Sequence, residues 1–387
     1  MVRRPKQTKM LFDKETIVSG DTFYGSANVG FRETGRRRYQ SFAMELVGPG
    51  RCQLRCRNCY QAEAEHGPDG DMPEKFVGDA LRQARECGFA EVVLMGGEPT
   101  LHLGLPGFVR LALEIGLVPI VVTNGIRLAN AQYTRSIALP GTTLVLHAPL
   151  SNAVQDEEVG ARGYSAKLRQ AYTNVTGLNG VVVVAEVVVI REFLPHIPDM
   201  HHWCREKRVV PFVEFNRSSN LGNPYSGAAT PEEVLALFEN LRQADPHPPD
   251  VLLPPAYGQT CTMSMTGVHV KNFGKGNYGG VFSCCAMTVR HGDLRTQPLT
   301  EILQSHSFQV LRDQDEWIYG PCRTCEYYST CRGGCRGQAS LTFGCVRASS
   351  PFCWHLPVEV RDSPSIMIPP TCAGCPLEGN PACHPRR

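Results

Sequence analysis

Between residues 42 and 242 short apolar runs alternate with segments of helical period, and that alternation limits the fold more than any other feature. Residues 42–47, 91–95, 118–123, 143–147, 181–190 and 211–215 read as strands. Residues 73–87, 108–115, 165–175, 195–205 and 231–242 read as helices, the first with Phe76, Ala80, Leu81 and Ala84 on one face. Thr230, with Glu233 three residues on, forms a capping box for the last. Strands alternating with helices imply an α/β chain with a parallel sheet whose ligands sit at the carboxyl ends of its strands. Such a sheet either stays open or curls into a partial barrel.

Cysteine use narrows the class. The chain has 387 residues and 17 cysteines. No apolar segment follows the basic start Met1-Val2-Arg3-Arg4, so no secretory signal is read. The longest apolar run, 181–190, is interrupted by Glu186 and is too short to span a bilayer. In a cytoplasmic protein, cysteines at this density read as metal ligands rather than cross-links. A formal charge of +2 demands no polyelectrolyte partner. Arg36, Arg37 and Arg38 read as solvated surface, so neither nucleic acid nor membrane is an expected partner. Residues 1–40 are polar and without period, an N-terminal extension; the barrel spans 41–250. Beyond it prolines cluster and cysteines become dense, which defines a small loop-rich domain over 251–356 that needs metals to stay folded. A cysteine-containing tail, 357–387, follows.

Directly after the first strand come Cys52, Cys56 and Cys59, spaced C-x3-C-x2-C. Three thiolates can hold three irons of a [4Fe–4S] cluster and leave the fourth iron open. Zinc would want four nitrogen or sulfur ligands, and the nearest histidine is His66, beyond an acidic stretch. The spacing resembles the signature of the radical S-adenosylmethionine (radical SAM) superfamily. That resemblance implies a partial (β/α)6 barrel whose open iron chelates the amino and carboxylate groups of SAM. It implies reductive cleavage of SAM to methionine and a 5′-deoxyadenosyl radical, which takes a hydrogen atom from the substrate. An external electron donor such as a flavodoxin or ferredoxin follows from it.

Further elements extend the resemblance. Gly96-Gly97-Glu98, after the second strand, is similar to the family's GGE motif, which holds the methionyl amino group. Tyr60 occupies the aromatic position after the last cysteine, whereas Asn58 departs from the family, many of whose members carry an adenine-packing aromatic there. Asn124 ends the third strand where the family places a polar residue near the SAM ribose; Asn-Gly equally suits a helix cap. His147 ends the fourth strand at the place of a polar SAM contact, and equally suits a satisfied core histidine. Arg162 is placed to pair with the SAM carboxylate as a fork-shaped donor, or to stand as a solvated arginine.

Cys322-x2-Cys325-x5-Cys331-x3-Cys335, then Cys353, resembles the SPASM domain of radical SAM enzymes. Cys261, the expected hairpin of 267–270 with 278–283, and Gly279-x4-Cys284 resemble its upstream half. The resemblance implies one auxiliary [4Fe–4S] cluster on Cys322, Cys325, Cys331 and Cys353. It implies a second on Cys261, Cys284 and Cys335, whose fourth ligand stays open between Cys285, Cys345 and a non-protein ligand. Cys372, Cys375, Cys383 and His384 fall outside the pattern. Cys87 and Cys204 lie on expected helices and read as buried and inert.

These elements imply an oxidative enzyme, an oxidoreductase acting on a peptide or a small natural-product metabolite, with auxiliary clusters accepting the second electron. The expected processes are peptide maturation and natural product biosynthesis, by dehydrogenation or cross-linking. One alternative is a redox-neutral epimerase that returns a hydrogen atom from Cys261 or Cys345. A more distant one is a non-catalytic iron–sulfur or zinc-binding interaction protein.

Overall fold

The computed structural model describes residues 39–61, 70–214, 227–244, 266–312, 317–371, 373, 375 and 377–380. Its spine is one nine-stranded sheet in the order β6-β5-β4-β3-β2-β1-β7-β8-β9. The strands are β1 (Ser41–Val47), β2 (Glu91–Gly96), β3 (Val118–Thr123), β4 (Thr143–His147), β5 (Val182–Val188), β6 (Val210–Glu214), β7 (Val268–Asn272), β8 (Tyr278–Phe282) and β9 (Gly292–Asp293). β1 to β6 are mutually parallel neighbours, as expected for a partial radical SAM barrel. The helices between them are α1 (Glu74–Glu86), α2 (Leu105–Glu114), α3 (Ala131–Ile137), α4 (Asn152–Glu158), α5 (Tyr164–Val175) and α6 (Ile197–Lys207), with α7 (Pro231–Ala244) following β6.

The six sequence-read strands and five sequence-read helices are present within a few residues, except that Phe215 lies outside the described residues. The expected helix over 195–205 begins instead as a 3-10 turn at Leu194–His196, because Pro195 and Pro198 sit in its first turns. α3 and α4 were not read from sequence. α3 is started by the Asn130 side chain, which accepts from the amides of Gln132 and Tyr133. The Thr230–Glu233 capping box is formed in both directions, at 2.6 and 3.2 Å.

The expected hairpin is β7–β8, antiparallel. It does not build a separate sheet: β7 pairs in parallel with β1, so the cysteine-rich half continues the barrel sheet across its first strand. That pairing satisfies a row of backbone groups on β1 that would otherwise form an open edge. After β9, α8 (Leu299–Gln304) and α9 (His306–Arg312) lead back towards the barrel, where the Leu299 amide meets the Gln83 side chain of α1 at 2.8 Å. No helix among the described residues is long and apolar enough to cross a membrane.

The period of two sorts the inner face of the sheet into layers. Ile120, Val145, Val184 and Val210 pack as a separate apolar cluster. Two residues further along the same strands, His147, Glu186 and Phe212 lie side by side in register, and Glu214 follows on β6. On β1, Glu45 sits two residues beyond Ala43, the register partner of His269 on β7. A dry plug is therefore capped, towards the carboxyl ends of the strands, by a layer of titratable side chains.

Candidate active site and auxiliary cysteine centres

The Cys52, Cys56 and Cys59 loop is docked on the ends of β2 and β3 by backbone contact. A Cβ on Gly96 would stand 2.6 Å from the Val47 carbonyl, and one on Gly97 2.5 Å from that of Gly48 and 2.6 Å from that of Arg51. Gly96 also holds φ +132°, where side-chain-bearing residues are strained. Both glycines are thus required by the close approach of the loop. Glu98, 1 % exposed, then binds the neighbouring strand ends together. Its Oε1 accepts from the Thr100 amide, the Thr100 hydroxyl and the Thr123 hydroxyl at 3.0, 2.6 and 2.6 Å, and Oε2 from the Asn124 amide at 2.8 Å. Burial nonetheless raises its carboxyl above the ordinary range. With one donor on Oε2, a lone pair is left there for a further donor.

Each outer cysteine already receives an amide. Leu54 donates to Cys52 Sγ at 3.5 Å and Gln61 to Cys59 Sγ at 3.4 Å, while Asn124 Nδ2 reaches Cys52 Sγ at 3.8 Å and Gln53 Oε1 at 3.0 Å. Asn124 also caps the next turn through Oδ1, accepting from the Ile126 amide at 3.0 Å. Both readings of Asn124, cap and site residue, coexist in one side chain. Burial pushes the Cys52 thiol up to about 11 and Cys56 well above its usual value, so the thiolate forms are favoured only when a cation compensates them. Across the loop, Glu158 at the end of α4 accepts from the Asn58 amide at 2.9 Å and from Arg57 Nε at 3.0 Å.

Tyr60 turns inward, its hydroxyl 3.3 Å from Glu45 Oε1. Burial, then the Glu45 charge, raise that phenol well above 10. Glu45 is itself held by His269 Nε2 at 2.9 Å and the Asn272 amide at 2.9 Å, which keep it below the ordinary carboxylate range despite its burial. His147 Nδ1 lies 2.9 Å from the Tyr164 hydroxyl, which donates to the Asn124 carbonyl at 2.7 Å. Since that hydroxyl has one proton, Nδ1 of His147 carries the other and Nε2 is left as an acceptor. Burial holds the ring near a pKa of about 4, hence neutral.

Arg162 is exposed on the turn before α5, and the side chain from this segment that reaches the cysteine loop's surroundings is Tyr164. Sequence reasoning missed Tyr164, Glu45, Glu158 and the pair Glu186–Glu214. For Glu186 the signal was present, a lone acid inside an apolar strand. Glu186 is raised well above the carboxylate range, by burial and then by Glu214, with which it shares a hydrogen bond.

In the second half, Cys322, Cys325, Cys331 and Cys353 line one pocket, with Tyr327, Tyr328, Trp354 and His355 around it. Among the described residues no three His, Cys, Asp or Glu side chains converge on a single-ion site. Four thiols around one pocket are the donor set that a [4Fe–4S] cluster takes. Cys284 lies near Cys335, the N-cap of α10 (Arg336–Phe343), whose sulfur accepts the Gln338 amide at 3.5 Å. Of the remaining candidates, burial pushes the Cys285 thiol well above its usual value, and the charged groups acting on it are Cys284, then Glu214, Lys271 and Glu45 from the barrel sheet. Cys345 is buried in an apolar cluster with Ala339, Phe343, Met367 and Ile368. Cys375 is buried in the cluster that contains Cys284 and Cys322. Cys261, Cys372, Cys383 and His384 lie outside the described residues. Cys204 is fully buried as expected, whereas Cys87 is partly exposed at the C-cap of α1, because the helix ends there and the chain turns outward.

A barrel of six parallel strands, a three-cysteine loop after the first, and a cysteine-lined lobe on the extended sheet define a radical SAM enzyme with auxiliary iron–sulfur centres. The model of the radical SAM superfamily matches residues 46–145, and that of the SPASM iron–sulfur cluster-binding domain matches residues 276–326. The chain therefore carries a radical SAM domain and a SPASM domain, and its cofactors are SAM, the [4Fe–4S] cluster that binds it, and auxiliary [4Fe–4S] clusters. It is 26% identical over 337 residues to an AdoMet-dependent heme synthase of Oleidesulfovibrio alaskensis, covering 79% of this chain and 85% of that one. It is 27% identical over 344 residues to a PqqA peptide cyclase of Streptomyces rochei, covering 81% and 92%. Among solved structures, native anSMEcpe with bound AdoMet superimposes with a TM-score of 0.60 at 16% identity, covering 78% of this chain and 90% of that one. Streptococcus suis SuiB does so at 0.61 and 17%, covering 83% and 77%.

Proposed function

We propose that this chain is a radical SAM oxidoreductase that oxidises or cross-links a peptide or small natural-product substrate. The barrel of 41–250 would carry the SAM site and 251–356 the auxiliary clusters, between the extension of 1–40 and the tail of 357–387. The observation that carries the reading is the pocket lined by Cys322, Cys325, Cys331 and Cys353 on a lobe that shares its sheet with the barrel. An enzyme that only generates a radical needs no second cluster; one that removes two electrons needs somewhere to send the second. When bound, the cofactors supply a 5′-deoxyadenosyl radical for hydrogen abstraction and an acceptor for the remaining electron.

The protein's own residues do the rest. Cys52, Cys56 and Cys59 would hold the SAM-binding cluster, with Gly96 and Gly97 seating their loop. Glu98 Oε2 would accept from the methionyl ammonium, while Asn124 and neutral His147 offer polar contacts to SAM and Tyr60 closes the chamber towards Glu45. Arg162 would have to swing inward on SAM binding to meet its carboxylate. Of the two substrate classes the similar proteins support the peptide: one is named a peptide cyclase, and SuiB has been seen bound to precursor peptide SuiA. A second reading, epimerisation with a thiol hydrogen donor, is favoured by Cys285, which has Glu45 and Glu214 of the barrel strands among its charged neighbours, whereas Cys345 lies in an apolar cluster.

The deciding experiment is anaerobic reconstitution and reduction, followed by detection of 5′-deoxyadenosine beside a Cys59→Ala control. Product from the wild type alone supports the assignment; equal product from both overturns it. Solvent deuterium in recovered substrate, lost in Cys285→Ala, would instead establish the epimerase.

A further inference from the structure

The charge buried most deeply in the auxiliary lobe is a cation. Arg336 is 1 % exposed, among the largest fully buried side chains of the protein. Its Nη1 donates to the carbonyls of Val346 and Ala348 at 2.9 and 2.5 Å, its Nη2 to that of Gly333, and Nε points to Gly334. Backbone dipoles therefore absorb its hydrogen bonds, and no described carboxylate pairs with it. A buried guanidinium without a counter-ion is costly. Its position adds to the cost, because Arg336 is the first residue of α10, at the helix end whose own partial charge is positive.

Gly333, whose carbonyl accepts from Nη2, lines the four-cysteine pocket, Arg336 directly follows Cys335 in the chain, and the ionisable groups near the guanidinium include Cys322, Cys335, Cys331 and Tyr328. Cys322 and Cys331 line the four-cysteine pocket, and Cys335 stands opposite Cys284. The same guanidinium thus touches the surroundings of both cysteine sets, and thiolate-ligated iron–sulfur clusters there would carry the missing negative charge.

We propose that Arg336 is the electrostatic bridge between the two auxiliary clusters, a positioning residue whose fixed positive charge raises the reduction potential of both. The inference rests on the cluster assignment above. A cation next to a cluster stabilises its reduced, more negative form, and net charge, sulfur hydrogen bonds and burial set such potentials. Held between the two sets, one charge would keep both potentials high enough to receive an electron from the substrate.

The test is a redox titration followed by electron paramagnetic resonance on reconstituted wild type, R336K and R336Q, after iron and sulfide analysis. At a fixed poise R336Q should shift the oxidised-to-reduced ratio of each auxiliary cluster at least tenfold towards oxidised, a fall of about 59 mV for a one-electron couple. R336K should stay within a third of that shift. The SAM-binding cluster, recognised by its response to added SAM, should not move in either variant. Unmoved auxiliary potentials in loaded R336Q, movement of only one, or equal movement in R336K overturns the proposal while leaving the cluster assignment intact. Loading in R336K but not R336Q supports the need for the charge; failure of both to load assigns the side chain to backbone packing and overturns it. Wild type without auxiliary iron overturns the assignment and the proposal together.

Discussion

The Glu158 carboxylate accepts the amide of Asn58 at 2.9 Å, tying the end of α4 to the cysteine loop from a hundred positions along the chain. The bond falls between Cys56 and Cys59, and Arg57 seals it from the side. Removing such an outer support typically costs about tenfold or more in metal affinity. Glu158→Ala should therefore load iron into the first cluster roughly tenfold more weakly, measured by competition with a chelator. Auxiliary iron should be unchanged.

On the function proposed above, variants of the three-cysteine loop and of the four-cysteine pocket should separate radical formation from its completion. Cys59→Ala should abolish formation of 5′-deoxyadenosine, since it removes one of the three proposed ligands and the amide contact from Gln61. Cys325→Ala should leave part of the SAM cleavage and stop formation of oxidised product. Full product yield from Cys325→Ala, measured by mass spectrometry, would refute the electron-acceptor role.

Gly97 has no room for a methyl group. The atoms it would strike, the carbonyl oxygens of Gly48 and Arg51, belong to backbone and cannot swing away as a side chain end can. Gly97→Ala should cost about 3 kcal/mol of stability and displace the loop, lowering the unfolding temperature and the iron content of the first cluster together.

Glu91 provides a pH signature away from the metal sites. Burial raises its carboxyl to about 7, against Ser41 and Gln40 as hydrogen-bond donors. Because the folded value lies above the unfolded one, its favourable contribution is complete below about pH 4.5 and is lost as pH rises towards 7. The difference corresponds to roughly 3 kcal/mol. Glu91→Gln should flatten the fall in stability between those pH values and make the protein more stable than wild type above pH 7. Denaturant titrations at pH 5 and pH 8 would show it.

The strand and helix order was legible because the apolar periodicities of β1 to β6 and of α1, α2 and α5 are local. So were the cysteine loop and the Gly96-Gly97-Glu98 turn, whose spacing is fixed by adjacent residues. α3 and α4 escaped because they are short, and α3 depends on a cap at Asn130 rather than on an apolar stripe. Arg162 and Cys345 were named from position along the chain, which carries no information about which way a side chain faces.

By itself the sequence determined the class of fold, the cofactor chemistry and the cysteines on which each cluster assignment rests, because local spacing decides those. Only the tertiary structure decided that β7 joins β1 in one sheet, that Cys284 lies near Cys335, and that Arg336 is buried with its guanidinium on Gly333 at the four-cysteine pocket. Strands far apart in the chain pair, and charges meet across long loops, so neither relation is written in the order of the chain.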